Sequence, residues 1–195
     1  MRCAILAGGE ASRMGGAPKG LLEIGGRRIL DRLVDEAMAA FGALPLLVAN
    51  APEAISWRAD LTPVADLIPG AGTLGGLYTA VMVAPAPVVC VAWDMPFVGA
   101  GLLRRLAEGL DRHDVFLPAS DGRRGVEPLC AGYGPGCAEP MRAAILRGDL
   151  RAIAFHPSVR VGVLPIAEVE QFGALERLFF NVNTAADLTA AERLL

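Results

Sequence analysis

Residues Leu6–Lys19 read LAGGEASRMGGAPK, a glycine-rich stretch that also contains two cations, Arg13 and Lys19. The apolar run Cys3–Ala7 precedes and overlaps it and has the length of a buried strand. Glycines let backbone N–H groups approach a bound anion, and the cations Arg13 and Lys19 can neutralise phosphate oxygens. A buried strand that runs into such a loop is typical of an α/β protein that binds a phosphorylated ligand.

The sequence of this loop also allows interpretations other than phosphate binding. The stretch could be a surface turn with two ordinary charges, because short motifs produce false matches. It is not a P-loop, since Lys19 lies between Pro18 and Gly20 rather than before Ser or Thr. A formal GxGxxG match occurs at Gly70–Gly75, but it follows the third predicted strand and comes after Pro69, so dinucleotide binding is a weak alternative.

Composition limits the classes of function. The chain has 195 residues, 53% of them hydrophobic and 20% charged, which predicts a single folded domain spanning 1–195. A net charge of -3 and a pI near 5.4 argue against nucleic acid as a partner. No apolar run approaches the roughly 20 residues needed to span a bilayer, so we expect a cytoplasmic protein without membrane contact. The four cysteines lack the spacing of zinc ligands, and we expect them to be reduced.

Apolar runs alternate with helix-length segments along the first half of the chain. The predicted strands are Cys3–Ala7, Pro45–Ala49, Thr62–Ala65 and Pro87–Trp93, and the predicted helices are Ile29–Phe41, ending at Gly42, and Leu74–Val83. This alternation predicts a parallel sheet covered by helices on both faces. The carboxyl ends of parallel strands meet at one edge, where ligands bind. We therefore expect Gly8, Asn50, Asp66 and Asp94 to lie close together.

The second half continues the α/β pattern. Its predicted strands are Val115–Pro118, Glu127–Tyr133 and the edge strand Arg160–Ile166, and its predicted helices are Leu102–Leu110, Glu139–Leu146 and Ala185–Leu195. No repeat or linker marks a second domain.

Asp94, at the end of the most apolar predicted strand, is the strongest candidate for chemistry. A carboxylate there, opposite a loop with Arg13 and Lys19, suits Mg²⁺ bound to a nucleotide. Asp66 is a possible second acidic group. The competing reading is that either aspartate caps the following helix or stabilises a turn. Asn181 and Asn183, in NVNT, could likewise stabilise turns.

Taken together, five motifs make the chain resemble the molybdenum cofactor guanylyltransferase family, within the glycosyltransferase-A-like nucleotidyltransferases. The motifs are LAGGEASRMGGAPKGLLEIGG, GTLGGL, WDMPF, EPLCAGY and NVNTAADL, in the order found in the family. The resemblance extends over almost the whole chain. It implies an α/β fold that is a three-layer α/β/α sandwich around a mostly parallel, Rossmann-like sheet.

The resemblance also implies roles for single residues. In the family the first loop surrounds GTP, the acidic group after the fourth strand holds Mg²⁺, and two later asparagines face the pterin substrate. Carried over to this chain, the phosphate-binding cations are Arg13 and Lys19 and the Mg²⁺ ligand is Asp94. The other implied binding residues are Leu6, Ala7, Gly8, Gly9, Asn50, Asp66, Gly72, Gly76, Asn181 and Asn183.

Two positions depart from the family pattern, because Pro18 replaces an acidic residue and Trp93 replaces a cysteine. Neither removes a charged site residue. The resemblance implies transfer of GMP from Mg·GTP to the terminal phosphate of molybdopterin or its molybdenum complex, with release of pyrophosphate, and contact with other molybdenum cofactor biosynthesis proteins. The alternatives are a related nucleotidyltransferase that uses CTP or a sugar phosphate, and a non-catalytic nucleotide-binding module.

Overall fold

A central sheet organises the protein in the computed structural model, which describes residues 1–8 and 18–195. Within these residues seven strands form this sheet, and two short strands form a separate hairpin. The strands are β1 (Arg2–Leu6), β2 (Glu23–Ile24), β3 (Arg27–Arg28), β4 (Leu46–Val48), β5 (Pro63–Val64), β6 (Val88–Ala92), β7 (Val115–Pro118), β8 (Cys130–Tyr133) and β9 (Val161–Leu164).

The main sheet has the order β5-β4-β1-β6-β8-β7-β9, and β2 pairs with β3. Strands β5, β4, β1 and β6 are mutually parallel, whereas β8 is antiparallel to both of its neighbours. Strand β9 pairs in parallel with β7 and ends the sheet on that side. The predicted mostly parallel sheet, with an edge strand near residue 160, is confirmed.

Helices cover both faces of the sheet. They are α1 (Ile29–Phe41), α2 (Gly72–Val83), α3 (Ala100–Glu108), α4 (Ala138–Leu146), α5 (Ile166–Val169), α6 (Leu175–Leu178) and α7 (Ala185–Glu192). One apolar core contains α1 and α3, and the other contains α2 and α4. Alternate residues of β1 divide between these cores, as in any pleated strand. The three-layer α/β/α arrangement is therefore confirmed.

Several element boundaries differ from expectation. The predicted strand Glu127–Tyr133 starts only at Cys130, because its first residues form a turn in which the Cys130 N–H donates to the Glu127 carbonyl at 3.3 Å. Pro128 within this turn has no N–H to offer a neighbouring strand. The last helix ends at Glu192 rather than Leu195. Helix α1 ends as predicted, at Gly42 in the left-handed conformation with φ 65°.

The carboxyl-terminal segment returns to the edge of the sheet where β6 ends. The Val182 N–H donates to the Asp94 carbonyl at 2.9 Å, which fixes the two neighbouring asparagines close to that edge. Helix α7 then starts with a capping box between Thr184 and Asp187, which satisfies backbone donors at its first turn. Among the helices of the described residues, none is long and apolar enough to cross a membrane.

Candidate active site at the carboxyl edge of the sheet

Strand register brings four of the predicted site residues to one place. Leu6 of β1 pairs with Val48 on one side and Ala92 on the other, and Val48 pairs with Val64. The site residues each follow one member of this row by two positions; they are Gly8, Asn50, Asp66 and Asp94. All four line one cavity of about 650 Å³, here called the sheet-edge cavity. The expectation that they share one edge is confirmed.

Lys19 and Asp94 form the charged pair of this cavity. The Lys19 Nζ lies 3.7 Å from the Asp94 Oδ2, and the side chains are only 16% and 17% exposed. The same Nζ donates a hydrogen bond to the Asn183 Oδ1 at 2.5 Å. Residues from the first loop, the end of β6 and the segment before α7 thus meet at one ammonium group.

The Asp94 carboxyl group lines the cavity and does not cap the next helix. The next helix, α3, has Gly99 as its N-cap, so the alternative reading of Asp94 as a helix cap does not hold. Burial raises the pKa of Asp94, and the nearby Lys19 charge opposes part of that rise. Within residues 1–8 and 18–195, Lys19 is the cation that lies beside this half-buried carboxylate, and a further cation that reaches the carboxylate would stabilise its charge.

Asn50 and Asp66 make a reciprocal pair on the other side of the cavity. The Asn50 Nδ2 donates to the Asp66 Oδ2 at 2.8 Å, while the Asp66 backbone N–H donates to the Asn50 Oδ1 at 2.8 Å. Thr79, fully buried in α2, accepts from the Leu67 N–H at 2.9 Å and so holds the chain after Asp66. Helix α2 has Ala71 as its N-cap, so Asp66 is not a helix cap either.

The amino end of α2 forms another wall of the cavity. Gly72 starts this helix with φ +58°, a conformation that favours glycine, and Gly72, Thr73 and Gly76 all line the cavity. The first N–H groups of a helix have no partners within it, and the helix dipole makes this end positive. The cavity therefore combines a positive helix end with the Lys19 ammonium, which suits a polyphosphate.

Trp93 supports the loop that carries Lys19, a role that no motif in the sequence indicates. Its ring lies against Gly20, where an added Cβ would come within 2.4 Å of the Trp93 Cε3. The ring also stacks on Trp57 with the centroids 4.9 Å apart. Trp57 is in turn held by Arg28, whose Nη1 donates to the Trp57 carbonyl at 2.9 Å. The only sequence signal for this support was the bulky residue directly before Asp94.

The remaining predicted residues differ in their placement. Asn183 reaches the cavity through Lys19, whereas the Asn181 Nδ2 donates locally to the Phe179 carbonyl at 2.8 Å. Ala7 is buried and its N–H donates to the Val48 carbonyl at 2.8 Å. Leu6 lines the cavity with the residues above. Gly9 and Arg13 lie outside the described residues.

Known proteins are similar to this chain over most of its length. Residues 3–160 match the family model for the MobA-like NTP transferase domain. The chain belongs to this family. It is 34% identical to a probable molybdenum cofactor guanylyltransferase of Pelotomaculum thermopropionicum, over 96% of this chain and 89% of that protein. It is 35% identical to a probable molybdenum cofactor guanylyltransferase of Carboxydothermus hydrogenoformans, over 94% and 91% of the two chains.

A solved structure shows the same similarity in three dimensions. The crystal structure of the molybdopterin-guanine dinucleotide biosynthesis protein A of Archaeoglobus fulgidus superposes with a TM-score of 0.84 at 28% identity, covering 100% of this chain and 98% of that one. As a MobA-like NTP transferase, the chain is a nucleotidyltransferase. Its GAGTLG loop leads into α2 of this fold, and the dinucleotide-binding alternative is not supported.

A divalent metal ion fits the donors at the sheet edge only if a substrate completes its coordination. Among the described residues no group of three or more His, Cys, Asp or Glu side chains could hold a metal by itself. Asp94 offers one buried carboxylate beside the cavity. Mg²⁺ is commonly bound by one or two carboxylates together with substrate phosphates and water. The donor set therefore fits a metal that arrives with a nucleotide.

Proposed function

We propose that this MobA-like NTP transferase transfers GMP from GTP to the terminal phosphate of molybdopterin or its molybdenum complex. The observation that carries the proposal is the convergence of Lys19, Asp94 and Asn183 beside the amino end of α2. The choice of GMP as the transferred group and of molybdopterin as the acceptor rests on the names of the related proteins. The cavity supplies the positive groups and the carboxylate that a nucleoside triphosphate requires.

The reaction needs no covalent enzyme intermediate. A phosphate oxygen of the acceptor attacks the α-phosphorus of GTP, a new P–O bond forms, and the bond to the bridging oxygen of the β-phosphate breaks to release pyrophosphate. The acceptor phosphate is already an anionic nucleophile, so catalysis consists of in-line positioning and stabilisation of charge. Lys19 would neutralise the charge that develops on the phosphate oxygens, and Asn183 would hold the Lys19 amine in place.

Magnesium is the metal we propose for Asp94. It would reduce the repulsion between the phosphates and the incoming nucleophile when bound. Asp94 would hold it on the protein side: burial raises the pKa of this carboxyl group, and a bound cation would oppose that rise by favouring the charged form. Arg13 is proposed as a second phosphate-binding cation on the basis of its position in the first loop. The remaining sheet-edge residues would surround the nucleoside and phosphates.

A nucleotide panel tests the proposal. Pyrophosphate release is measured with GTP, CTP, ATP and UTP, with and without Mg²⁺, and with and without molybdopterin. We expect release only when GTP, Mg²⁺ and molybdopterin are all present. Preference for CTP with the same acceptor would replace GTP in the proposal. Nucleotide binding without turnover on any acceptor, including sugar phosphates, would contradict transfer and favour the non-catalytic alternative.

A further inference from the structure

A second cavity lies outside the residues that the proposed function uses. It has a volume of about 470 Å³ and is formed by the loop between β7 and β8. We call it the loop cavity; it is lined by Ser120, Gly122, Arg123, Arg124, Val126, Glu127 and Pro128. Its volume is within the range of small-molecule sites, about 300–1,000 Å³.

The loop has a defined shape. The Ser120 N–H donates to the Gly125 carbonyl at 3.0 Å, and the Glu127 N–H donates to the Pro118 carbonyl at 3.0 Å. Ala119 and Val126 form an antiparallel bridge between these bonds. The walls of the cavity are therefore held by backbone hydrogen bonds that extend from β7.

Two polar side chains of this cavity, the buried Ser120 and the half-buried Glu127, make few or no hydrogen bonds within the described residues. Ser120 is only 6% exposed, and its Oγ has no hydrogen-bond partner among the described residues. A buried hydroxyl group without a hydrogen-bond partner lowers the stability of the folded protein unless a ligand or a water molecule forms a hydrogen bond with it. Glu127 accepts one bond, from the Leu129 N–H to its Oε1 at 3.3 Å, although a carboxylate can accept about four. Both groups thus retain unused hydrogen-bonding capacity.

The loop cavity adjoins the sheet-edge cavity. Pro128 lines the first and its chain neighbour Leu129 lines the second. The Leu129 carbonyl accepts from the Ala92 N–H at 2.8 Å, two residues before Asp94. Burial raises the pKa of Glu127, and the Asp94 charge adds to that rise, so the two carboxylates influence one another. A ligand with one end near Asp94 could therefore place its other end in the loop cavity.

The chemistry of the loop cavity matches the ring of a pterin. A 2-amino-4-oxopteridine presents two adjacent donors, the 2-amino group and N3–H, which a carboxylate can accept side by side. A serine hydroxyl group can form a hydrogen bond with the 4-oxo oxygen or with a ring nitrogen, and arginine side chains can stack on a flat ring. Arg123 and Arg124 are exposed at the rim, where they can cover the bound ring.

We infer that the loop cavity binds the pterin ring of the acceptor, with Glu127 accepting from the 2-amino group and N3–H and Ser120 pairing with the ring. This inference rests on the proposed function, because it takes the acceptor to be a pterin. It assigns acceptor recognition to the loop after β7 and leaves nucleotide binding to the sheet-edge cavity. Glu127 is here a specificity-determining residue.

The test uses two probes without a phosphate, pterin (2-amino-4-oxopteridine) and lumazine (2,4-dioxopteridine). Binding to the full chain is followed by amide chemical shifts in two-dimensional NMR at up to millimolar ligand. We expect shifts centred on residues 120–129 and pterin binding tighter than lumazine by about tenfold or more, because lumazine faces the carboxylate with an oxygen. Glu127→Gln should remove this preference, and Ser120→Ala should weaken both ligands.

Controls separate this inference from the proposed function. Glu139→Gln changes an exposed carboxylate on α4 and should leave both affinities unchanged. GTP binding by Glu127→Gln and Ser120→Ala should equal that of the wild type, which shows that they are folded. Absence of shifts in the loop, equal binding of pterin and lumazine, or a preference that survives Glu127→Gln would each overturn the inference. Pyrophosphate release in the nucleotide panel does not depend on the pterin and lumazine affinities, so it tests the proposed function separately.

Discussion

The Lys19 ammonium lies 3.7 Å from the Asp94 carboxylate and donates to the Asn183 Oδ1, although these residues come from three distant parts of the sequence. The carboxylate and the amide each constrain one flexible lysine, which carries a large rotamer entropy when free. A lysine held this way presents its charge at a fixed point in the sheet-edge cavity. That preorganisation is what stabilisation of a phosphoryl-transfer transition state requires.

Replacing Asp94 should abolish the metal-dependent step. Asp94→Asn keeps the size of the side chain but removes the charge that would hold Mg²⁺, so we expect kcat to fall by about 10²–10³-fold. The measurement is pyrophosphate release as a function of Mg²⁺ concentration. Asp111→Asn, an exposed aspartate in the turn after α3, is the matched control and should behave as the wild type. Mg²⁺-dependent turnover unchanged in Asp94→Asn would refute the role.

Lys19 and Asn183 should act as one unit. If Asn183 works by holding the lysine, Lys19→Met and Asn183→Ala should each lower kcat/KM, and the double variant should be little worse than Lys19→Met. The expected coupling is about 0.5–3 kcal/mol. A double-mutant cycle on kcat/KM measures it. Strictly additive effects would mean that Asn183 contacts substrate independently of Lys19.

Gly20 should tolerate no side chain because Trp93 occupies the space. The Cβ of Gly20→Ala would lie 2.4 Å from the Trp93 Cε3, and the stack on Trp57 leaves that ring little room to move. We expect a loss of about 1–3 kcal/mol in the free energy of unfolding, a lower kcat and altered tryptophan fluorescence. Urea unfolding and emission spectra measure these changes.

Two further variants test whether Trp93 is the cause. Gly136→Ala places a Cβ at 3.9 Å from its nearest neighbour and should be close to neutral. Gly20→Ala should cost less stability in a Trp93→Leu background than in the wild type, since the smaller side chain makes space. An equal cost of Gly20→Ala in both backgrounds would locate the strain elsewhere.

The ion pair between Asp114 and Arg160 should make the end of the sheet sensitive to acid. Side-chain hydrogen bonds from Arg160 lower the pKa of Asp114 below its ordinary value of 3.8. Because the folded-state pKa is depressed, the stabilisation is fully present above the unfolded-state pKa and is lost as the pH falls through the folded-state value. The effect should be small, since the Arg160 side chain is 72% exposed.

Acid unfolding of the wild type and Asp114→Asn measures this contribution. The variant should be less stable near neutral pH. The difference should begin to shrink as the pH drops below about 4 and should be lost once the pH is below the folded-state pKa, where the wild-type carboxyl group is also protonated. Asp111→Asn serves again as the control. A difference that grows on acidification would contradict the assignment.

Much of the fold followed from periodicity in the sequence. The continuous apolar runs Cys3–Ala7 and Pro87–Trp93 indicated buried parallel strands, and both form them with ends shifted by about one residue. Boundaries were less accurate where turn chemistry competed, as at Pro128, because the composition of the seven-residue stretch Glu127–Tyr133 does not show where hydrogen-bonded pairing begins.

Part of the candidate site was also predictable, because polar residues directly follow the predicted strands. Asn50, Asp66 and Asp94 each stand directly after a predicted strand, and parallel strands end at one edge. The positions of the strand ends in the sequence therefore predict that these side chains lie close together. Trp57 and Glu127 carried no comparable signal, since their importance depends on neighbours far away in the chain.

The sequence by itself determined the α/β class, the sheet edge that carries the site and the family resemblance, because hydrophobic period and motif order are local properties of the chain. Only the tertiary structure decided that Asn183 rather than Asn181 holds Lys19, that Trp93 packs against Gly20, and that Ser120 and Glu127 share a second cavity. Those relationships depend on strand register and on the path of the last segment, which pack residues distant in sequence at contact distance.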